Sequence, residues 1–217
     1  MNNCWLCGSK SSPMPEVGEK VYYHCPVCDL IFIDDKYILS PEEEMKRYTL
    51  HNNTPDNEGY VKFLSNFINE ALEPFIKNCQ TGLDFGCGPG PVLSDLITKL
   101  GGVKMDYYDP YFYSNIDFSN KRYDLITATE VLEHVRKPGE VLQFFKNHLS
   151  SGGTLAVMTL FHHNYDFKIW WYKRDPTHIC FYSPITFKWI AEHFSLHIKY
   201  INDNNICVMR NVSSMHI

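Results

Sequence analysis

Residues 83–90 read Leu-Asp-Phe-Gly-Cys-Gly-Pro-Gly, and the segments that flank them decide the fold. Leu83, Asp84 and Phe85 end a buried strand that Thr81 and Gly82 begin. Gly86, Gly88 and Gly90 then let the chain turn tightly and let a ligand approach backbone that a Cβ would shield. Pro91 suits the first turn of a following helix, where its missing N–H costs nothing. That helix, 91–100, spaces Val92, Leu93, Leu96, Ile97 and Leu100 along one buried face. A strand, a glycine turn and a helix N-terminus together form a site for an anionic or polar group.

A dinucleotide fingerprint, Gly-x-Gly-x-x-Gly, would need its third glycine at position 91, where this chain has proline. Asp84, two residues before the first glycine, would also repel a pyrophosphate, whereas a ligand bearing an ammonium group would welcome it. The stretch resembles motif I of the class I S-adenosylmethionine (SAM) dependent methyltransferases. The resemblance implies that Asp84, Gly86, Gly88 and Gly90 surround the methionine end of SAM. Cys87, inside the loop, is expected at the edge of that pocket. Purely structural glycines are the alternative.

The resemblance continues downstream. Val103 to Tyr108 reads as a second strand ending at Asp109-Pro110. In the family an acid at this tip takes both ribose hydroxyls, and a carboxylate can accept two hydrogen bonds side by side. Residues 123–134, Tyr-Asp-Leu-Ile-Thr-Ala-Thr-Glu-Val-Leu-Glu-His, resemble the family's fourth strand and the turn bordering the cofactor, which implies a cofactor contact for Glu130. Ser151 to Met158 matches a glycine turn and fifth strand, so the likeness covers roughly residues 58–210.

Length and composition fit this reading. With 217 residues the chain has room for one core plus a small appendage, and 44% hydrophobic content suits a globular protein. No apolar run approaches the ~20 residues that span a bilayer. The first 30 residues lack the basic start and apolar stretch of a secretion signal, so a cytoplasmic location is expected. A net charge of −5 gives no general pull toward nucleic acid.

The cysteines fall into two groups. Cys4 and Cys7 form one Cys-x2-Cys pair, and Cys25 and Cys28 a second, the four-thiolate pattern of a zinc ribbon. Lys20 to His24 reads as a strand entering the second pair. So short a segment cannot bury enough core to fold alone, and bound zinc would supply the stability. A disulfide pair or a redox Cys-x-x-Cys is the alternative. Cys79, Cys180 and Cys207 read as small apolar residues.

The expected organisation is a zinc ribbon (1–37), a linker (38–57) and a SAM-binding domain (58–217). The fold class is α/β: a doubly wound, mostly parallel sheet closed by an antiparallel hairpin. Strands are expected near 81–86, 103–109, 123–129, 153–160, 195–202 and 204–210. Ser40-Pro-Glu-Glu-Glu44 is a helix cap. Gly59 to Lys77 reads as one amphipathic helix and Phe181 to Phe194 as another. Only residues 110–124 separate the second strand from Tyr123 and its strand, too few for the usual helix and third strand. The outer strand is therefore expected to be missing or reduced to residues near Ile116 to Phe118. Asp117 is the nearest substitute for the adenine-binding acid that this gap removes.

The richest segment for a methyl acceptor is 161–182, dense in aromatics, histidines and a Lys-Arg-Asp cluster. Within it, Arg174 to Ser183 resembles a segment of small bacterial methyltransferases that carry a zinc ribbon. Methyl transfer is an in-line displacement, so alignment and exclusion of water matter most, and an acceptor of high pKa also needs a base. His178 is the first candidate for that base and His134 the second; satisfied structural histidines are the alternative. An Arg174–Asp175 pair would hold the segment closed. Trp170, Trp171 and Tyr172 would stack on a planar acceptor or form a lid, and His51, Asn52 and Asn53 would reach the cofactor if the linker folds back. A small molecule or protein side chain is favoured as acceptor over ribosomal or transfer RNA, because only Lys10, Lys20 and Lys36 are basic within 1–37. A SAM-binding sensor or zinc-ribbon adaptor without catalysis is the reading from a different class, and a dinucleotide oxidoreductase the last.

Overall fold

A computed structural model describes residues 2–15, 17–50 and 53–212. The N-terminal segment forms four short strands, β1 (Asn2–Asn3), β2 (Lys10–Pro13), β3 (Tyr22–His24) and β4 (Ile31–Ile33), paired antiparallel in chain order. The Cys4–Cys7 turn joins the first two and the Cys25–Cys28 turn the last two. Each turn closes with a backbone bond to its first cysteine, from Gly8 to Cys4 O and from Asp29 to Cys25 O. Gly8 and Asp29, each just past the second cysteine, both adopt left-handed φ, 73° and 61°. Among non-glycine residues Asp is one of the few enriched there.

Helix α1 (Pro41–Tyr48) starts on the expected cap: Ser40 Oγ accepts from Glu43 N, and the Glu43 carboxylate accepts from Ser40 N at 2.9 Å. The helix expected over 59–77 forms as α2 (Glu58–Phe67), a π turn over Ile68–Leu72, and α3 (Glu73–Ile76). Pro74 explains the widened turn, because it has no N–H to donate and its ring would crowd the preceding carbonyl.

The second sheet contains β5 (Thr81–Phe85), β6 (Lys104–Tyr108), β7 (Tyr123–Thr129), β8 (Leu149–Met158), β10 (Leu196–Ile201) and β11 (Ile206–Asn211). Its order is β10-β11-β8-β7-β5-β6, parallel from β8 to β6 and antiparallel across the closing hairpin. Helices α4 (Val92–Gly101), α5 (Pro138–His148) and α6 (Pro184–His193) connect and cover it. The expected α/β fold is present, and β6 is the edge strand. Among the described residues, 110–122 contain no strand of this sheet, and Asp117 sits exposed in a turn, accepting from Ser119 N.

Alternate residues of the central strands serve opposite faces. Leu125, Ala156 and Val208 pack with α2, α3 and α4, whereas Ile126, Leu155, Val157 and Met209 pack with α5 and α6. The second of these cores also contains Cys4, Leu6, Tyr22, Leu30 and Phe32 from the four-stranded segment. The two sheets are stitched by β9 (Cys180–Phe181), which pairs antiparallel with β4 through Ile31↔Phe181 and Phe32↔Cys180. This corrects the expected helix start at Phe181. The helix begins at Pro184, after Ser183, whose Oγ caps Thr186 N, because residues 180–181 are drawn into the neighbouring sheet.

Candidate active site

The four cysteines of the N-terminal turns converge. Cys4 Sγ lies 3.5 Å from Cys28 Sγ and Cys7 Sγ 3.4 Å from Cys25 Sγ, and all four lie within 4.8 Å of one another. None is in a disulfide; all eight cysteines of the chain are free thiols. The hydrogen bond from Cys28 pushes the Cys4 thiol down to about 5, while Cys28 is pushed up. Ligand atoms at these separations fit a tetrahedral metal, for which metal–sulfur bonds of about 2.3 Å place the sulfurs slightly under 4 Å apart. The cluster can hold a metal ion.

A cavity of about 850 Å³ opens at the carboxyl ends of β5, β6 and β7. Gly86, Gly88 and Asp109 line it, with Glu130 and Val131 at the end of β7 beside Gly86, and His134 and His178 line it too. The glycine loop is tied to the tip of β6 by Gly86 N and Cys87 N, which both donate to Tyr108 O. Asp109 Oδ2 accepts from Gly88 N at 3.0 Å, and Oδ1 accepts from Tyr111 N and Phe112 N at 2.8 and 3.2 Å. Three backbone donors thus fix the carboxylate and leave Oδ2 one lone pair for a ligand.

Not every residue expected in the pocket reaches it. Asp84 is 2% exposed beneath the loop, accepting from Thr127 Oγ1 at 2.9 Å and Ser94 Oγ at 3.5 Å, and burial pushes its carboxyl up to about 7. Cys87 is buried and its thiol is likewise pushed up by burial. Neither lines the cavity. Gly90 faces the linker: a Cβ there would stand 2.2 Å from the Asn53 carbonyl oxygen. Asn53 therefore folds back over the loop and lines the cavity; His51 and Asn52 lie outside the described residues.

After β7 a chain of hydrogen bonds links two acids through a phenol. Glu130, held at φ 53°, is pushed well above the usual carboxylate range by burial and by Glu133 beside it. A protonated Glu130 can donate to Tyr172 Oη at 3.0 Å, leaving the phenol to donate to Glu133 Oε1 at 2.5 Å. Glu133 is fully buried, and among the described residues its Oε2 has no hydrogen-bond partner. Ligand atoms of Glu133, His134 and His178 lie within 4.8 Å of one another, a set that could hold a cation. His178 Nδ1 is 2.7 Å from Tyr172 O and His134 Nδ1 is 2.9 Å from Thr177 O. A carbonyl only accepts, so each Nδ1 carries a proton and Nε2 is the basic nitrogen. Burial holds His178 below the ordinary histidine value, which keeps it neutral and basic at pH 7.

The linker supplies the roof. Glu44, Arg47 and Tyr48 of α1 line the cavity, and Tyr48 packs edge-on against His134 and at a tilt against Tyr111, at centroid distances of 5.5 and 5.4 Å. Arg47 donates twice to Asp175 Oδ2, at 2.7 and 3.1 Å, so the expected Arg174–Asp175 pair is replaced by one between α1 and the 161–182 segment. That pairing, with the Thr177 donors, holds Asp175 well below the usual carboxylate range. Arg174 lines the cavity instead. Of the three adjacent aromatics, Trp170 and Tyr172 are buried, and Trp171, 61% exposed at the cavity wall, remains for stacking. Sequence reasoning missed Glu133 and Arg47 as site residues. The repeated acids of Glu-Val-Leu-Glu-His were a visible signal for the first; nothing local marks the second.

A Rossmann-like sheet with a ligand-sized cavity at its strand ends is the architecture of the class I methyltransferases. Residues 57–199 match the family described as a methyltransferase domain, and the chain belongs to that family. The ubiquinone biosynthesis O-methyltransferase of Shewanella halifaxensis is 28% identical in an alignment covering 55% of this chain and 56% of the relative, so the chain spans about half of that relative's length. A SAM-dependent methyltransferase from Archaeoglobus fulgidus superposes with a TM-score of 0.54 at 13% identity, over 69% of this chain and 94% of that one. An O-methyltransferase family protein from Burkholderia thailandensis gives 0.52 at 14% identity, over 79% and 63%. At these identities the two structures speak for the fold.

Proposed function

We propose that the chain transfers a methyl group from SAM to a small-molecule acceptor. The observation that carries this reading is one cavity joining the Gly86–Gly88–Asp109 loop to the His134–His178 pair. Bound there, SAM would supply a methyl group on a positively charged sulfur, open to in-line displacement. Asp109 would take a ribose hydroxyl on its remaining Oδ2 lone pair, with the Gly86–Gly88 backbone alongside. Asp84 acts from beneath, as a buried acid that keeps the loop attached to β7 and α4 rather than as a direct contact. His178 Nε2 would remove the acceptor proton as its bond to the methyl group forms, with His134 orienting the acceptor. Tyr48 and α1 exclude water from above, and Trp171 offers a face to a planar acceptor.

The relatives named for ubiquinone biosynthesis support a small molecule. The edge of β4 is occupied by β9, which weighs against an RNA-reading ribbon. For the four-thiolate cluster we assign zinc, which favours closed tetrahedral thiolate sites. Eight cysteines with no disulfide suit a cytoplasmic setting; among the described residues no helix is long and apolar enough to cross a membrane.

Titration calorimetry with S-adenosylhomocysteine tests the reading. The wild type should bind, and Asp109→Ala should bind about tenfold or more weakly, the loss of roughly one charge-assisted hydrogen bond. A wild type that binds nothing removes the class, and an undiminished mutant removes the ribose role. Labelled SAM screened against small-molecule fractions then identifies the acceptor.

A further inference from the structure

We propose that the four-cysteine knuckle clamps the segment that carries His178, and that Asp29 is the positioning residue through which it acts. The segment leaves the sheet after β8 and returns to it at α6. Asp29 holds both of its ends. The Asp29 backbone oxygen accepts from His162 Nε2 at 3.0 Å, and its Oδ2 accepts from Ser183 Oγ at 2.5 Å. Its other carboxylate oxygen is 2.7 Å from His24 Nε2, on β3 just before Cys25. Residue 29 is itself placed by the metal turn, as the left-handed residue after Cys28 whose N–H closes on Cys25 O.

Further ties run along the segment. Ile33 N donates to Ile179 O at 3.0 Å, immediately after His178, and β4 pairs with Cys180 and Phe181. Lys173 Nζ donates to Val17 O at 3.2 Å, and Tyr22 packs edge-on against Phe167 and Phe181. The cofactor end is built differently: the glycine loop and Asp109 hang on β5, β6 and α4. A metal at the cysteines therefore braces the His178 segment from one side. The turn after β7 braces it from the other, through Ile179 N to Glu133 O and Tyr182 Oη to Leu132 O, and the glycine loop is left to the large sheet. Without the metal the two turns keep only their backbone bonds and their share of the common core, and the ion that binds the four crowded sulfurs to one another is gone. The left-handed position of Asp29 and its grip on His162 and Ser183 would go with it.

This rests on the methyltransferase reading of the cavity, and the test separates the two. Hydrogen exchange of the full chain would be followed for four samples: zinc-loaded wild type, chelator-treated wild type, Asp29→Ala and Asp29→Asn. S-adenosylhomocysteine affinity and zinc content would be measured in parallel. Amides of residues 170–180 should lose about tenfold or more protection on chelation and in Asp29→Ala. Homocysteine-ligand affinity should stay within about twofold, and Asp29→Ala should keep its zinc. Asn tolerates the same backbone and still accepts from Ser183, so Asp29→Asn should restore most of the protection. If Asp29→Ala does not fold, His162→Ala cuts one end alone and should deprotect the same amides to a smaller extent. Unchanged protection of 170–180 without zinc overturns the clamp, as does equal loss of protection at 84–90 together with ligand binding. A wild type that binds no S-adenosylhomocysteine but shows the zinc-dependent protection would fail the cofactor reading and uphold the clamp.

Discussion

Asp84 ties three elements together from a position where its charge is expensive. Thr127 on β7 and Ser94 on α4 both donate to it, yet burial still pushes its carboxyl from 3.8 up to about 7. The folded state therefore holds this proton more tightly than the unfolded chain between those two values. Stability from this group falls as pH rises through that window, and the loss is complete above about 7. An Asp84→Asn variant keeps an acceptor for Thr127 and removes the charge. It should match the wild type near pH 4 and be more stable at pH 8, by at most about 4 kcal/mol for a separation of roughly three pH units. Urea unfolding at the two pH values measures this, and a variant no more stable at pH 8 would contradict the assignment. The position of Asp84 before the glycines was plain in the sequence. Its place on a buried strand was plain too, but not which face it takes, because strand alternation alone does not say whether a given face meets a ligand or a helix. Asp109 was legible down to its position at the strand tip, but not its three backbone donors, which depend on how 110–112 turn.

Helix α1 shows the same limit one level up. Its cap could be read from Ser40 and Glu43, because both partners lie within four residues. Its destination could not, since Arg47 meets Asp175 only after both parts of the chain have folded. Breaking that contact should loosen the roof rather than the floor of the cavity. Arg47→Ala is expected to speed S-adenosylhomocysteine release several-fold in stopped-flow measurements with little change in melting temperature, since exposed or half-exposed ion pairs contribute only about 1 kcal/mol or less. Release at the wild-type rate would show that α1 is not a cover. The two-residue strand β9 was invisible for a related reason: a periodicity cannot be seen in two residues, and its partner lies near the start of the chain. The missing outer strand, by contrast, was legible because chain length alone forbids it.

At the scale of the molecule, the cysteine-bearing strands share one apolar core with α5, α6 and a face of the large sheet. Their melting should not be independent. Metal analysis is expected to give about one zinc per chain, and calorimetry a single unfolding transition that moves to lower temperature when zinc is chelated. Two separate transitions would argue against a common core. The pairing of β4 with β9 also has a consequence in time. Ile31 leaves the ribosome long before Phe181, and at 5–20 residues per second the wait is roughly eight to thirty seconds. During synthesis the first sheet is thus a nascent fragment with an uncovered edge and four thiols open to oxidation or to the wrong metal. Early capture of the correct ion would guard that fragment until its last strand arrives.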